Sequence, residues 1–168
     1  MTLALPAPML ASEGGKPFTH PDWLYEIKYD GYRALARAGG GQPVGLRSKS
    51  GVDCTRWFPE IANLLEDLLG GPHVIDGEAC CLDDIGRSNF NALQARARRR
   101  RWYEGCEQVT VCAFDLLYMD GRNAMGLPLE ERKAMLGQLL APLGRRIVVV
   151  GDFPAAAALF DEAVVGAR

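Results

Sequence analysis

The sequence predicts an α+β fold, with mixed or antiparallel sheets flanked by helices. Three observations lead there. Short runs alternate apolar and polar residues with the period of two that a half-buried strand requires. Other segments carry apolar positions at helical spacing. The two kinds of segment are interspersed without the regular strand–helix–strand alternation of a doubly wound parallel sheet. The 168 residues suffice for one domain with a sizeable core, and they contain no internal repeat.

Residues 1–21 hold Pro6, Pro8, Pro17 and Pro21 together with Gly14 and Gly15, which predicts an extended lead-in lying on the surface. Residues 23–29, WLYEIKY, alternate strictly. They predict a strand with Trp23, Tyr25, Ile27 and Tyr29 on an apolar back and Leu24, Glu26, Lys28 and Asp30 on a mostly charged front. Gly31 marks a turn or a close backbone approach. A second strand is expected over 32–38, a turn at Gly39–Gly41, and a third strand with its exit over 43–51. Residues 57–69 have helical spacing and end at Gly70 and Gly71. A strand over 73–84 follows, then a helix over 89–98 with Ser88 or Asn89 as N-cap. Residues 109–121 form a strongly β-prone run closed by Asp120 and Gly121, and 128–143 an amphipathic helix with Pro128 at its start. A short buried strand over 146–153 and a last helix over 154–168 complete the expectation.

The net charge of −2, with 48% hydrophobic and 24% charged residues, is ordinary for a globular chain. Contact with a polyanion therefore needs a local basic patch. The five cysteines include no C-x-x-C pair and only two histidines accompany them, which argues against a zinc site. Reduced thiols and a cytoplasmic location are expected. The N-terminal MTLALPAPMLA lacks the basic start of a signal peptide, and no apolar run is long enough to span a membrane.

A lysine between two carboxylates on a strand is ordinarily a solvated, partly paired charge worth about 0–1 kcal/mol. The sharper reading requires other polar groups to converge with it. Asp76 and Glu78 share a strand face, with Gly77 between them allowing close approach. Phe114 directly precedes Asp115, so alternation sends the two to opposite faces. Arg33 and Arg47 offer guanidinium forks suited to phosphate or ribose oxygens. Each has a bland alternative: a lone Phe in such a strand is more often core, and Asp-Gly-Glu more often a bend.

The order of these pieces carries a resemblance. K-Y-D-G-Y-R at 28–33 is followed by L-R-S-K-S-G at 46–51, V-I-D-G-E at 74–78 and F-D-L-L-Y-M-D-G at 114–121. This resembles the covalent nucleotidyltransferases, namely ATP-dependent DNA ligases, RNA ligases and capping enzymes. The wording F-T-H-P-D-W-L-Y-E-I-K-Y-D-G-Y-R-A is similar to the ligase domain of bacterial end-joining DNA ligases in particular. The resemblance implies an ATP-grasp-like nucleotidyltransferase fold over 22–168, after the lead-in. It implies that Lys28 attacks the α-phosphate of ATP, forming lysyl-AMP and releasing pyrophosphate. The amine must then be unprotonated, well below its ordinary pKa of about 10.4, which nearby cations such as Mg²⁺ and arginines favour. By the same resemblance Glu26 meets the adenine edge, Arg33 and Arg47 hold ribose and phosphate oxygens, Glu78 contacts ribose or the Mg²⁺ ion, and Phe114 stacks on adenine. Asp30 and Gly31 shape the turn after the nucleophile, while Asp76 and Asp115 are read as structural. AMP then passes to a 5′-phosphate on nicked double-stranded DNA, and the 3′-hydroxyl displaces it.

R-A-R-R-R-R at 96–101 is the one dense basic run. Arg98, Arg99, Arg100 and Arg101 are its candidates for backbone phosphates; a solvated helix end is the competing reading. The family's later motifs, an E-G-[IVL]-[IVL]-x-K strand and a K-x-K-type segment, and its OB-fold domain are not among the 168 residues. On that ground the chain by itself is expected to self-adenylate poorly, to seal nicks inefficiently, and to leave a sheet edge for a partner chain or a second copy. Two alternatives stay open: an RNA ligase or GTP-using capping enzyme, and a ligase-derived binding or assembly module without chemistry.

Overall fold

The computed structural model describes residues 3–10, 12 and 16–155. They form strands β1 (His20–Glu26), β2 (Tyr32–Ala38) and β3 (Gly45–Ser48), helix α1 (Pro59–Glu66), strand β4 (His73–Cys80), helix α2 (Phe90–Arg98), strands β5 (Thr110–Met119) and β6 (Arg122–Asn123), helix α3 (Leu129–Leu140), and strands β7 (Val148–Val149) and β8 (Asp152–Ala155). The chain divides into two compact units. One comprises 1–8 and 29–149, the other 9–28 and 150–168.

The larger unit is built on a sheet in the order β3-β2-β4-β5-β6, antiparallel throughout, with β7 added parallel to β5. Its two faces differ because the strands alternate. Ala34, Ala36, Leu46, Ile75, Ala79, Val111 and Ala113 point to one face and form a single core with Phe58, Ile61 and Leu65 of the α1 region, Leu93 of α2 and Leu136 of α3. The other face carries Arg33, Leu35 and Arg37 from β2. The register sets Arg47 beside Leu35 on β3, and Glu78, Asp76 and Val74 beside those three residues on β4.

The helix over 89–98 is present as α2, with Asn89 as its cap: the Asn89 side-chain oxygen accepts the Ala92 N–H at 3.0 Å. The helix over 57–69 is shorter than its spacing suggests. A 3-10 turn at Thr55–Trp57 precedes α1, with Pro59 at its first turn. Between Gly31 and β4 the approach is close. A Cβ at Gly31 would sit 2.2 Å from the Ala79 carbonyl oxygen and 2.7 Å from Cys80 Sγ. Gly31→Ala is therefore expected to cost about 1–3 kcal/mol, read as a lower urea midpoint with an unchanged slope.

Four expectations are corrected. The lead-in is not wholly superficial: Leu5 is buried with Leu35, Val74 and Leu117, and Leu3 packs against them. The strand read over 23–29 runs instead from His20 to Glu26, because among the described residues it pairs with β8 alone, in a ladder that ends at the Glu26–Asp152 pair. Its apolar back is not buried: Trp23 is 57% and Ile27 54% exposed. The stretch 146–153, expected as one buried strand, is two strands in two sheets, with Val149 and Phe153 exposed. Gly151 separates them. The helix expected over 154–168 gives way at its start, since Pro154 and Ala155 belong to β8; the rest lies outside the described residues.

All five cysteines are free thiols, four of them buried and Cys106 partly exposed. Burial raises the Cys54 and Cys81 thiols from 9.0 to about 11. The folded chain therefore holds these protons more tightly than the unfolded one. Their contribution to stability is intact below pH 9.0 and is lost as the pH rises towards about 11. A thiol reagent at pH 8 is expected to label Cys106 first and the four buried cysteines only on unfolding, as peptide mass spectrometry will show.

Candidate functional site

The smaller unit is a β-ribbon. Phe18 packs edge-on against Trp23 at 5.4 Å and Tyr25 at 6.0 Å, and the Tyr25 hydroxyl donates to the Phe18 carbonyl. Glu26 closes the β1–β8 ladder. Lys28 lies two residues beyond it, exposed, in the irregular segment that leads to β2. The pleat of a paired strand does not dictate its orientation there, unlike the expectation from alternation. The residues that follow are anchored within the larger unit. The Asp30 N–H donates to Ser88 Oγ at 3.0 Å, and burial raises the Tyr29 phenol above its ordinary value, with the Cys112 and Cys80 thiols adding to the effect.

On the open face of the larger sheet, the structure brings Arg33, Glu78 and Phe114 together. Arg33 and Glu78 are cross-strand partners. The Arg33 guanidinium chelates Asp76 at 2.5 and 2.7 Å and lies 4.6 Å over the centre of the Phe114 ring. Asp76 is 3% exposed, so its charge is compensated where water cannot reach it. The Asp76 hydrogen bonds raise the Arg33 pKa and outweigh the cost of burial; Glu78 and Asp115 contribute in the same direction. A Cβ at Gly77, between the two carboxylates, would lie 2.9 Å from the Cys112 carbonyl oxygen, so glycine lets β4 and β5 approach.

Arg47 is on the same face, but its guanidinium is engaged by the N-terminal segment, donating to the Leu5 carbonyl at 2.9 Å.

Phe114 and Asp115 do not take opposite faces. The β4–β5 register passes from Gly77 opposite Ala113 to Asp76 opposite Asp115, which leaves Phe114 as the extra residue of a bulge. Both residues therefore lie beside Arg33. Asp115 is held by Arg132 of α3, whose Nε and Nη2 donate to its two oxygens at 2.7 and 2.9 Å. Sequence reasoning did not single out Arg132. The only available signal was an arginine in the first turn of the helix whose apolar stripe faces β5.

The basic run at 96–101 is not uniform. Arg96 is fully buried and paired to Glu60, whereas Arg98, Arg99, Arg100 and Arg101 are exposed. The Arg99 guanidinium stacks on Tyr103 at 4.2 Å and that of Arg100 on Trp57 at 5.3 Å. A separate cavity of about 520 Å³ lies on the helix side, lined by Glu60, Asn63, Leu82, Gln108 and Val148 among others.

The sheet thus presents an arginine, a carboxylate and an aromatic ring together on one face. Residues 8–159 match the family described as ATP dependent DNA ligase domain, and the chain belongs to that family. It is 42% identical over 134 residues to the multifunctional non-homologous end joining DNA repair protein LigD of Mycobacterium tuberculosis, covering 79% of this chain and 17% of that protein. The corresponding protein of Mycolicibacterium smegmatis is 38% identical over 154 residues, covering 89% and 19%. Among solved structures, mycobacterial DNA ligase D complexed with ATP and MES superposes with a TM-score of 0.72 at 32% identity, covering 95% of this chain and 51% of that one. The ligase domain of Mycobacterium tuberculosis LigD gives 0.64 at 32% identity, covering 85% and 45%. The chain thus spans under a fifth of these two curated relatives and about half of the two solved chains. Its fold is that of the LigD ligase domain, a nucleotidyltransferase fold. Among the described residues, no helix is long and apolar enough to cross a membrane.

Proposed function

We propose that this chain supplies the adenylation chemistry of an ATP-dependent DNA ligase acting in end-joining repair, with Lys28 as the nucleophile. The observation that carries the reading is the convergence of Arg33, Glu78 and Phe114 on one open sheet face, in a chain where K-Y-D-G-Y-R precedes them in family order.

In the proposed step the Lys28 amine, unprotonated, attacks the α-phosphorus of ATP. A P–N bond forms, the P–O bond to pyrophosphate breaks, and the amine proton passes to solvent. Phe114 offers a ring face for adenine, which requires the Arg33 guanidinium to move aside or the base to take the other face. Arg33 and Arg47 serve the ribose and phosphate oxygens, and Arg47 does so by exchanging the Leu5 carbonyl for the ligand. Glu26 serves the adenine edge. Among the described residues no group of three or more acidic, histidine or cysteine side chains could hold a metal by itself. A single half-buried carboxylate, Glu78, fits a cation that arrives with the triphosphate. Mg²⁺ would be held by the phosphate oxygens with Glu78 and would neutralise charge on them. Arg98, Arg99, Arg100 and Arg101 are the proposed contacts for the phosphates of nicked DNA, in a cytoplasmic, nucleoid-associated protein.

The test is incubation of the chain with Mg²⁺ and ATP or GTP, followed by intact mass spectrometry. One added AMP from ATP supports the reading. An adduct from GTP alone, or none from excess ATP, overturns it.

A further inference from the structure

We propose that Arg132 is a positioning residue for Phe114: by chelating Asp115 it holds the β5 bulge that turns the Phe114 ring onto the open face of the sheet. The proposal rests on the reading above, in which that face takes a nucleotide base.

The bulge needs a reason, because it sets two carboxylates against each other. Asp76 and Asp115 are cross-strand partners, an arrangement that like charges disfavour. Each carboxylate has its own guanidinium fork. Arg33 takes Asp76 from within the sheet, and Arg132 takes Asp115 from α3. Arg132 is itself fixed, since its Nη1 donates to the Leu127 carbonyl at 2.6 Å and its backbone N–H to that of Pro128 at 3.2 Å. The Leu116 N–H donates to Asp115 Oδ1 at 2.8 Å and closes the bulge on its far side. Both members of the Arg132–Asp115 pair are mostly buried, with 15% and 19% of the side chain exposed. Without Arg132, Asp115 would face Asp76 with no cation of its own. The register with Phe114 as the extra residue would then lose its advantage over straight alternation. The Phe114 ring would no longer be held under Arg33.

The test compares Arg132→Ala, Arg132→Lys, Phe114→Ala and the Arg132→Ala/Phe114→Ala double variant. Dissociation constants are measured by calorimetry for ATP and for inorganic triphosphate, which lacks a base. Arg132→Ala is expected to weaken ATP about tenfold, the low end of one base–aromatic stack. Triphosphate binding should be unchanged, Arg132→Lys should fall between, and Arg132→Ala should add nothing once Phe114 is gone. Equal weakening of ATP and triphosphate, or full additivity in the double variant, overturns the proposal. A ligand-free measurement separates it from the nucleotide reading. With 4-fluorophenylalanine at position 114, the ¹⁹F resonance should shift in Arg132→Ala and in Arg132→Lys. An unchanged resonance in both overturns the positioning role, whatever the chain binds. Absence of ATP binding by the unaltered chain counts against the nucleotide reading and leaves the ¹⁹F result to decide the role of Arg132.

Discussion

Lys28→Ala is expected to reduce the AMP adduct to background while leaving the fold intact. The side chain is exposed and lies beyond the β1–β8 ladder, so its removal should change stability by no more than about 0.5 kcal/mol. Lys28→Arg should fail equally. A guanidinium stays protonated and offers no lone pair to phosphorus, even though it preserves the charge. The three other lysines provide the control. Lys16 and Lys49 are exposed, like Lys28, and Lys133 is buried. Exposure therefore does not distinguish the proposed nucleophile; its place in K-Y-D-G-Y-R does. Peptide mapping of the adduct checks this directly. AMP found on Lys16 or Lys49, or an adduct surviving in Lys28→Ala, would remove Lys28 from the reaction.

Arg96→Ala should be among the most damaging single changes in the larger unit, at about 3–5 kcal/mol, because it leaves a buried charge without its partner. The guanidinium of Arg96 has no exposed surface. Its Nη2 reaches both Glu60 oxygens at 3.1 and 3.3 Å, its Nη1 donates to the Arg101 carbonyl, and the rings of Phe58 and Tyr103 lie 6.0 and 5.8 Å from it. Glu60 also accepts the Val109 N–H at the entrance to β5. The Arg96–Glu60 pair thus ties α2 to α1 and to the start of β5. Arg96→Ala strands the Glu60 carboxylate, whereas Arg96→Met with Glu60→Met removes both charges and fills the space. The double variant should recover most of the loss in urea denaturation. A double variant no better than Arg96→Ala would mean that the cost is one of packing and not of an uncompensated charge.

Arg96 also shows where reading the chain alone was bound to stop. R-A-R-R-R-R is one basic run to the eye, and a helix predicts that its members face different ways, but it does not say which is buried. The partner that decides is Glu60, 36 residues earlier, on another helix. The same limit applies at the site. Alternation placed Asp76 and Glu78 on one face, and the β2–β4 register bears this out, because period two holds as long as a ladder is regular. Alternation failed at Phe114 and Asp115, where a bulge breaks the period. It failed again at Lys28, where the ladder ends before the residue does.

Local chemistry was enough for the α+β class, for the strand over 32–38, for the Asn89-capped helix and for the motif order that marks the ligase family. Each of these depends on residues near one another in the chain: pleat period, cap, turn, and the short strings K-Y-D-G-Y-R and V-I-D-G-E. Tertiary structure decided which charges meet. Arg33 with Asp76, Arg132 with Asp115 and Arg96 with Glu60 are 43, 17 and 36 residues apart. Such pairs exist only once strand register and helix packing have been set by the burial of apolar faces. No property of either partner's neighbours in sequence encodes them.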